Sequence, residues 1–186
     1  MPTQKIVNEH KQLMEKALEF LHSEFKTVRT GRASTGLVEN LKVDYYGSPT
    51  PLKQLATFSV PESSMIVIKP FDPASIKDIE KAIKNSDLSI APMSDGKIIR
   101  LNVPPLSGER RTQLASQVKQ LGEQAKVSIR NIRRDANKKL DDAQKAKTLT
   151  EDDRDHGKKE IDEFTKQYTD KIDKAVKSKT DEVMES

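Results

Sequence analysis

The side chains best equipped for chemistry in this chain are cations at helical spacing. Lys119, Lys126, Arg130, Arg133 and Arg134 sit in the proline-free stretch Ser107–Ala146. At about 100° per residue they fall within a band roughly 100° wide on one helix. Arginine forks match phosphate oxygens two at a time, so the band reads as a phosphate-binding rail. Glu123 shares the band and Asp141 ends it; the alternative is a solvated charged face. Other chemistry finds no constellation. His10, His22 and His156 lack metal-ligand spacing, and a lone histidine on a helix is more often packing or surface. There is no cysteine, which excludes thiolate zinc sites, disulfides and thiol nucleophiles. Neither a Gly-rich phosphate loop nor a Gly-x-Ser-x-Gly elbow occurs. Asp152-Asp153 follows Thr150 as in a capping box, where acids favour a helix N-terminus. The expectation is a binding or mechanical protein with no catalytic residue, no metal and no cofactor.

The rail needs a helix to carry it. Leu114, Val118, Leu121, Ala125, Ile129, Ile132, Ala136, Leu140 and Ala143 recur in steps of three and four, which puts them on one stripe of a helix roughly 60 Å long. Ser107 is placed to cap it. Thr3 to Arg29 predicts a second helix: Val7, Met14, Leu21 and Val28 repeat every seven residues, and Ile6, Leu13, Ala17, Leu18 and Phe25 widen the stripe to that of a bundle. A third helix starts at Thr150, with Ile161, Phe164, Tyr168, Ile172, Ala175 and Val176 as its stripe and Gly157 weakening its first turns. The short loop Thr148–Thr150 forces an antiparallel pair.

Between the first two helices the period changes. Leu41–Tyr46, Thr57–Val60, Met65–Lys69, Leu88–Met93 and Lys97–Val103 read as extended. Gly47–Pro51 reads as a turn cluster, Pro61 and Pro70 as strand stops, and Asp95-Gly96 as a hairpin turn. Asp72–Ser75 opens a short helix with Ile76, Ile79, Ala82 and Ile83 on one side. The fold class is α+β: an elongated antiparallel three-helix bundle (1–30 plus 104–186) with an inserted small β-rich domain (31–103), L-shaped. Glycine and small residues at Thr30, Gly31, Ala33 and Ser34, and the stretch Val103, Pro104, Pro105 and Leu106, form the expected hinge.

Composition narrows the partners. Charged residues are 33% of 186 and the net charge is only +4; mean hydropathy is −0.73 and the pI about 9.1. The distribution of charge therefore matters more than its sum. Aromatics are 4%, with no Trp, which argues against base stacking as the main mode. No apolar run is long enough for a membrane span, and the N-terminus lacks a signal-peptide core. A cytoplasmic monomer is expected. A coiled-coil or holdase scaffold and a general nucleic-acid architectural protein are the rivals; neither accounts for a module inserted at a glycine–proline hinge.

Four stretches resemble the bacterial ribosome recycling factors: Arg29-Thr30-Gly31-Arg32-Ala33-Ser34, Tyr45–Leu52, Pro104–Arg111 and Arg130–Asn137. The resemblance runs the length of the chain and is least diagnostic in the final helix. It implies binding to the post-termination ribosome, chiefly to large-subunit ribosomal RNA. It implies subunit splitting with elongation factor G and its GTP hydrolysis, freeing mRNA and the last tRNA. It also implies that Arg133 is the foremost ribosome contact, with Arg29, Arg32, Arg111 and Arg130 in support. Arg29 and Arg32 sit where the domains join and either touch RNA or brace the hinge. Lys119, Lys126 and Arg134 rest on helical geometry.

Overall fold

The computed structural model describes residues 2–185; Met1 and Ser186, which the sequence places at the ends of the bundle, lie outside the described residues. The helices are α1 (Pro2–Thr27), α2 (Ile76–Lys84), α3 (Gly108–Lys145) and α4 (Glu151–Glu185). The strands are β1 (Lys42–Tyr45), β2 (Ser48–Pro51), β3 (Ala56–Glu62), β4 (Met65–Pro70), β5 (Pro92–Ser94) and β6 (Ile99–Asn102). Contacts group the chain into two compact units, Met1–Phe25 with Ala115–Asp181, and Lys26–Leu114 with Glu182–Ser186.

The first unit is the body of the bundle. Val7, Met14, Leu18 and Leu21 of α1 are buried, as are Val118, Ala125, Ile129, Ala136 and Leu140 of α3 and Ile161, Tyr168 and Ile172 of α4. Each set follows the three-and-four spacing of an amphipathic helix. Contacts fix the directions. His10 meets Asp135 and Glu15 meets Tyr168, while Arg133 meets Asp162 and Lys126 meets Asp173. Thus α1 and α4 run parallel and α3 runs against both. Glycine permits two close approaches. A Cβ on Gly122 would lie 2.4 Å from Val176 Cγ2, and one on Gly157 would lie 2.9 Å from Thr3 Cγ2. Gly157 is therefore more than a weak point in α4: its missing side chain makes room for α1.

Caps set the helix ends. The Ser107 hydroxyl accepts from the Arg110 amide at 3.2 Å. At the start of α4 the Thr150 hydroxyl accepts from the Asp153 amide at 3.1 Å, and the Asp153 carboxylate accepts from the Thr150 amide at 3.4 Å. This reciprocal pair is a capping box. At its other end α3 stops in a left-handed residue, Lys147 at φ 57°. The Thr148 amide donates to Ala143 and the Lys147 amide to Gln144, both at 2.9 Å, a Schellman closure without the usual glycine.

In the second unit the sheet order is β3-β4-β6-β5, antiparallel throughout, with β1 and β2 as a separate hairpin. Ile66 and Ile68 of β4 and Ile99 and Leu101 of β6 alternate inward, as one-sided strands must. Ile76, Ile79 and Ile83 of α2 complete the core. Proline positions correct the expected strand limits. Ser48–Pro51 is a strand, paired with Lys42–Tyr45, and Pro61 lies inside β3, where the register shifts between Ser59 and Glu62. Both are edge strands, the setting that tolerates a missing amide. Extended structure after α2 is shorter than expected: Leu88 lies in a turn and the strand begins at Pro92. The return strand starts at Ile99 because Asp95 Oδ1 accepts from the Lys97 and Ile98 amides, each at 2.9 Å.

Candidate nucleic-acid interface

Burying the apolar stripe of α3 fixes the helix's rotation and turns Lys119, Arg130, Arg133 and Arg134 outward, all exposed. Arg130, Arg133 and Arg134 line one shallow surface depression. The band is not uniform. Lys126 is half-buried, its Nζ 2.5 Å from Asp173 and 3.4 Å from Glu123. The bond to Asp173 raises its pKa against the opposing effect of burial. Arg133 is engaged more lightly, its Nε 3.3 Å from Asp162 with both side chains about half exposed. Lys119, Arg130 and Arg134 make no ion pair among the described residues. Asp162 and Asp173 were not singled out from the sequence. They lie about three turns apart on α4, so one face of α4 supplies both, and that spacing was the available signal.

A buried contact seats this part of α3. His10 is fully buried; its Nδ1 lies 2.7 Å from the Ile6 carbonyl and its Nε2 lies 2.9 Å from Asp135. Asp135 also pairs with Lys139 at 3.1 Å. The bond to His10, then that to Lys139, holds the Asp135 carboxyl below its usual pKa. The contact ties α1 to the turn of α3 that carries Arg133 and Arg134.

The remaining arginines serve the chain's own backbone to different degrees. Arg111 donates from Nη1 to the carbonyls of Val183 and Met184, each at 3.2 Å, and from Nε to Leu106 at 3.4 Å. The last carbonyls of a helix have no partner within it, so Arg111 caps α4. Arg29 donates from Nη2 to the Pro104 carbonyl and so joins the two connecting stretches; burial, then the charge of Arg110, lowers its pKa. Arg32 is exposed and lines a cleft with Thr30, Ala33, Ser34, Glu182 and Glu185.

The expected hinge residues are partly stitched to the sheet. The Ala33 amide donates to Ser63 at 2.6 Å and the Val103 amide to Ser64 at 2.7 Å, both in the turn between β3 and β4. Val103 is buried with the sheet core. The Ser34 hydroxyl accepts from the Gly36 amide at 3.3 Å and the Thr30 hydroxyl from the Arg32 amide at 3.3 Å. Gly31 is half-buried, Pro104 and Pro105 are exposed and Leu106 is buried.

Known proteins share much of the sequence and the fold of this chain. The family model described as "Ribosome recycling factor" matches residues 21–184. The ribosome-recycling factor of Geobacillus thermodenitrificans is 48% identical over 97% of this chain and 98% of its own. That of Bacillus licheniformis is 46% identical over the whole of both chains. A solution structure of the ribosome recycling factor superposes with a TM-score of 0.79 at 38% identity, covering 100% of this chain and 99% of that one. A model of the T. thermophilus ribosome recycling factor, bound with E. coli elongation factor G to the E. coli post-termination complex, gives 0.69 at 38% identity, covering 99% and 100%. With the family model and full-length relatives in agreement, the chain belongs to the ribosome recycling factor family.

Proposed function

We propose that this chain recycles ribosomes. It binds the post-termination ribosome, chiefly through large-subunit ribosomal RNA. With elongation factor G and GTP it separates the subunits and frees mRNA and deacylated tRNA. The observation that carries the binding surface is the outward cluster of Arg130, Arg133 and Arg134 on α3, beside which Arg130 and Arg134 have no ion-pair partner among the described residues. Guanidinium groups lacking an internal counter-charge are the ones available to phosphate oxygens. The chain acts as a non-catalytic factor, since the partner hydrolyses GTP, and works as a monomer in the cytoplasm, where ribosomes are. Among the described residues no helix is long and apolar enough to cross a membrane.

The hinge belongs to the same reading. With Ala33 and Val103 hydrogen-bonded to the β3–β4 turn, these two residues move with the sheet, and the hinge of this reading lies in the stretches that precede Ala33 and follow Val103. The test is co-sedimentation with vacant ribosomes, separated subunits and an unrelated RNA duplex at two salt concentrations, followed by subunit splitting with elongation factor G and GTP. Preference for ribosomes and large subunits, then GTP-dependent splitting, is expected. Equal binding to every RNA, or no splitting, refutes the reading.

A further inference from the structure

We propose that Asp162 of α4 is a specificity-determining residue for RNA binding: an internal counter-charge that competes with phosphate for Arg133 and yields it only where the RNA places a phosphate opposite. The inference rests on the functional reading above and adds to it a residue that limits where the rail can bind.

The first observation is a carboxylate with one partner. Arg130, Arg133 and Arg134 line one depression of α3, and of the three only Arg133 has an ion pair among the described residues. The next acids along α3 are committed elsewhere. Asp135 meets His10 and Lys139, and Asp141 meets Lys158 and Arg154. Asp162 comes from the facing helix, and Arg133 is its only ion-pair partner among the described residues. A carboxylate beside three guanidiniums acts on any anion that approaches them.

The second observation is that this pair is easy to exchange. The contact runs through Nε at 3.3 Å, with the Arg133 side chain 49% and the Asp162 side chain 59% exposed. Ion pairs so open to water contribute little, so breaking one costs little. Lys126 on the same helix shows the contrast. It is 21% exposed and held on two sides, by Asp173 at 2.5 Å and Glu123 at 3.4 Å. Arg133 and Asp162 also differ in reach. Ile161, next to Asp162, is fully buried and fixes that turn of α4, and the aspartate stem is short. The arginine stem has three methylenes and can swing outward. When a phosphate takes Arg133, Asp162 therefore stays behind, close to the incoming anion.

Matched and unmatched RNA then meet different surfaces. A phosphate opposite Arg133 replaces Asp162 and can be gripped by two N–H groups at once. An RNA with no phosphate there leaves Arg133 on Asp162 and meets a neutral pair instead of a cation. Removing the carboxylate frees Arg133 for any phosphate within reach, so unmatched RNA gains most.

Asp162→Asn tests this, because it removes the counter-charge and keeps the shape of the side chain. Binding to vacant ribosomes and to an unrelated RNA duplex is titrated at several salt concentrations. Duplex affinity should rise on the order of tenfold, the effect of one charged hydrogen bond. The slope of log K against log salt for the duplex should steepen by about 0.7–0.9. Ribosome affinity should rise by no more than about fivefold, the upper end for a surface ion pair. Glu163→Gln removes the same charge from the next residue of α4 and should change duplex affinity far less. In an Arg133→Gln background the gain from Asp162→Asn should vanish. A gain that persists there, or that Glu163→Gln matches, makes Asp162 part of the general field and overturns the proposal. An equal fold gain on ribosomes and duplex removes its part in specificity. A thermal midpoint well below wild type makes the pair a brace between α3 and α4 and overturns the exchange. An unchanged Asp162→Asn, beside a wild type that prefers ribosomes, overturns the role of Asp162 alone. A wild type with no preference for ribosomes overturns the functional reading and the proposal together.

Discussion

Arg134→Gln and Lys126→Gln each remove one positive charge from α3, yet they should weaken ribosome binding unequally. Arg134 is exposed and has no ion pair among the described residues. Lys126 is 21% exposed and lies between Asp173 at 2.5 Å and Glu123 at 3.4 Å. An ammonium already neutralised by two carboxylates displaces few counterions from RNA. A guanidinium facing a phosphate displaces about one, which changes the slope of log K against log salt by about 0.7–0.9. Its hydrogen bond to a charged oxygen adds about 1.5 kcal/mol or more, a loss of roughly tenfold or more on removal. Both variants change the net charge by the same amount, so the long-range field is controlled and the difference isolates the contact.

The assay is a titration of labelled protein with ribosomes at fixed Mg2+ and several KCl concentrations. Arg134→Gln should show a slope shallower by about 0.8 and the corresponding loss of affinity. Lys126→Gln should keep the wild-type slope. If both slopes change equally, Lys126 is a phosphate contact and the division of the rail into paired and unpaired cations is wrong. If neither changes, the outward face of α3 is solvated surface and the binding site lies elsewhere.

Three further outcomes are expected. Gly122→Ala brings a Cβ to 2.4 Å from Val176 Cγ2; an overpacking cost of about 1–3 kcal/mol outweighs a helix-propensity gain of about 1 kcal/mol. Its urea midpoint should fall, and adding Val176→Ala should restore part of the loss; strict additivity would show that the two sites do not touch. Lys147→Gly relieves a lysine at φ 57° and should stabilise the protein by about 1 kcal/mol; an unchanged or lower urea midpoint contradicts the Schellman reading. Asp135 has a depressed pKa, held chiefly by His10, so its contribution is present above the ordinary carboxylate pKa near 4 and is lost as pH falls through the lower folded value. Asp135→Asn should therefore flatten the fall of the thermal midpoint below about pH 4, and parallel profiles for the two proteins would exclude that contribution.

What the sequence made legible follows from which interactions are local. The stripes of α1, α3 and α4 and the caps at Ser107 and Thr150 are short-range patterns of apolar spacing and side-chain acceptors, and the structure contains them except at Leu13, which the rotation of α1 leaves 43% exposed. The exposed position of Arg130, Arg133 and Arg134 follows from the α3 stripe alone. The strand status of Ser48–Pro51 was hidden because proline reads as a turn former until the strand is known to be an edge. The division of the rail was hidden because Asp162 and Asp173 belong to another helix. Arg111 was indistinguishable from a surface cation because its partners, the carbonyls of Val183 and Met184, are more than seventy residues away. The role of His10 required knowing that α1 lies against Asp135.

The small net charge of +4 then has a physical reading. A protein that must leave the RNA it binds gains little from a large positive field, which would hold it on any duplex. Pairing Lys126 with Asp173, and partly occupying Arg133 with Asp162, leaves Lys119, Arg130 and Arg134 as the cations of the rail with no ion pair among the described residues. Few phosphate contacts mean a shallow salt dependence, and affinity then depends on whether the RNA surface places its phosphates to match these positions. A generic architectural protein needs the opposite arrangement, many unpaired cations and no shape requirement. Under the proposed reading, the partly paired helix face then suits one folded RNA better than any duplex.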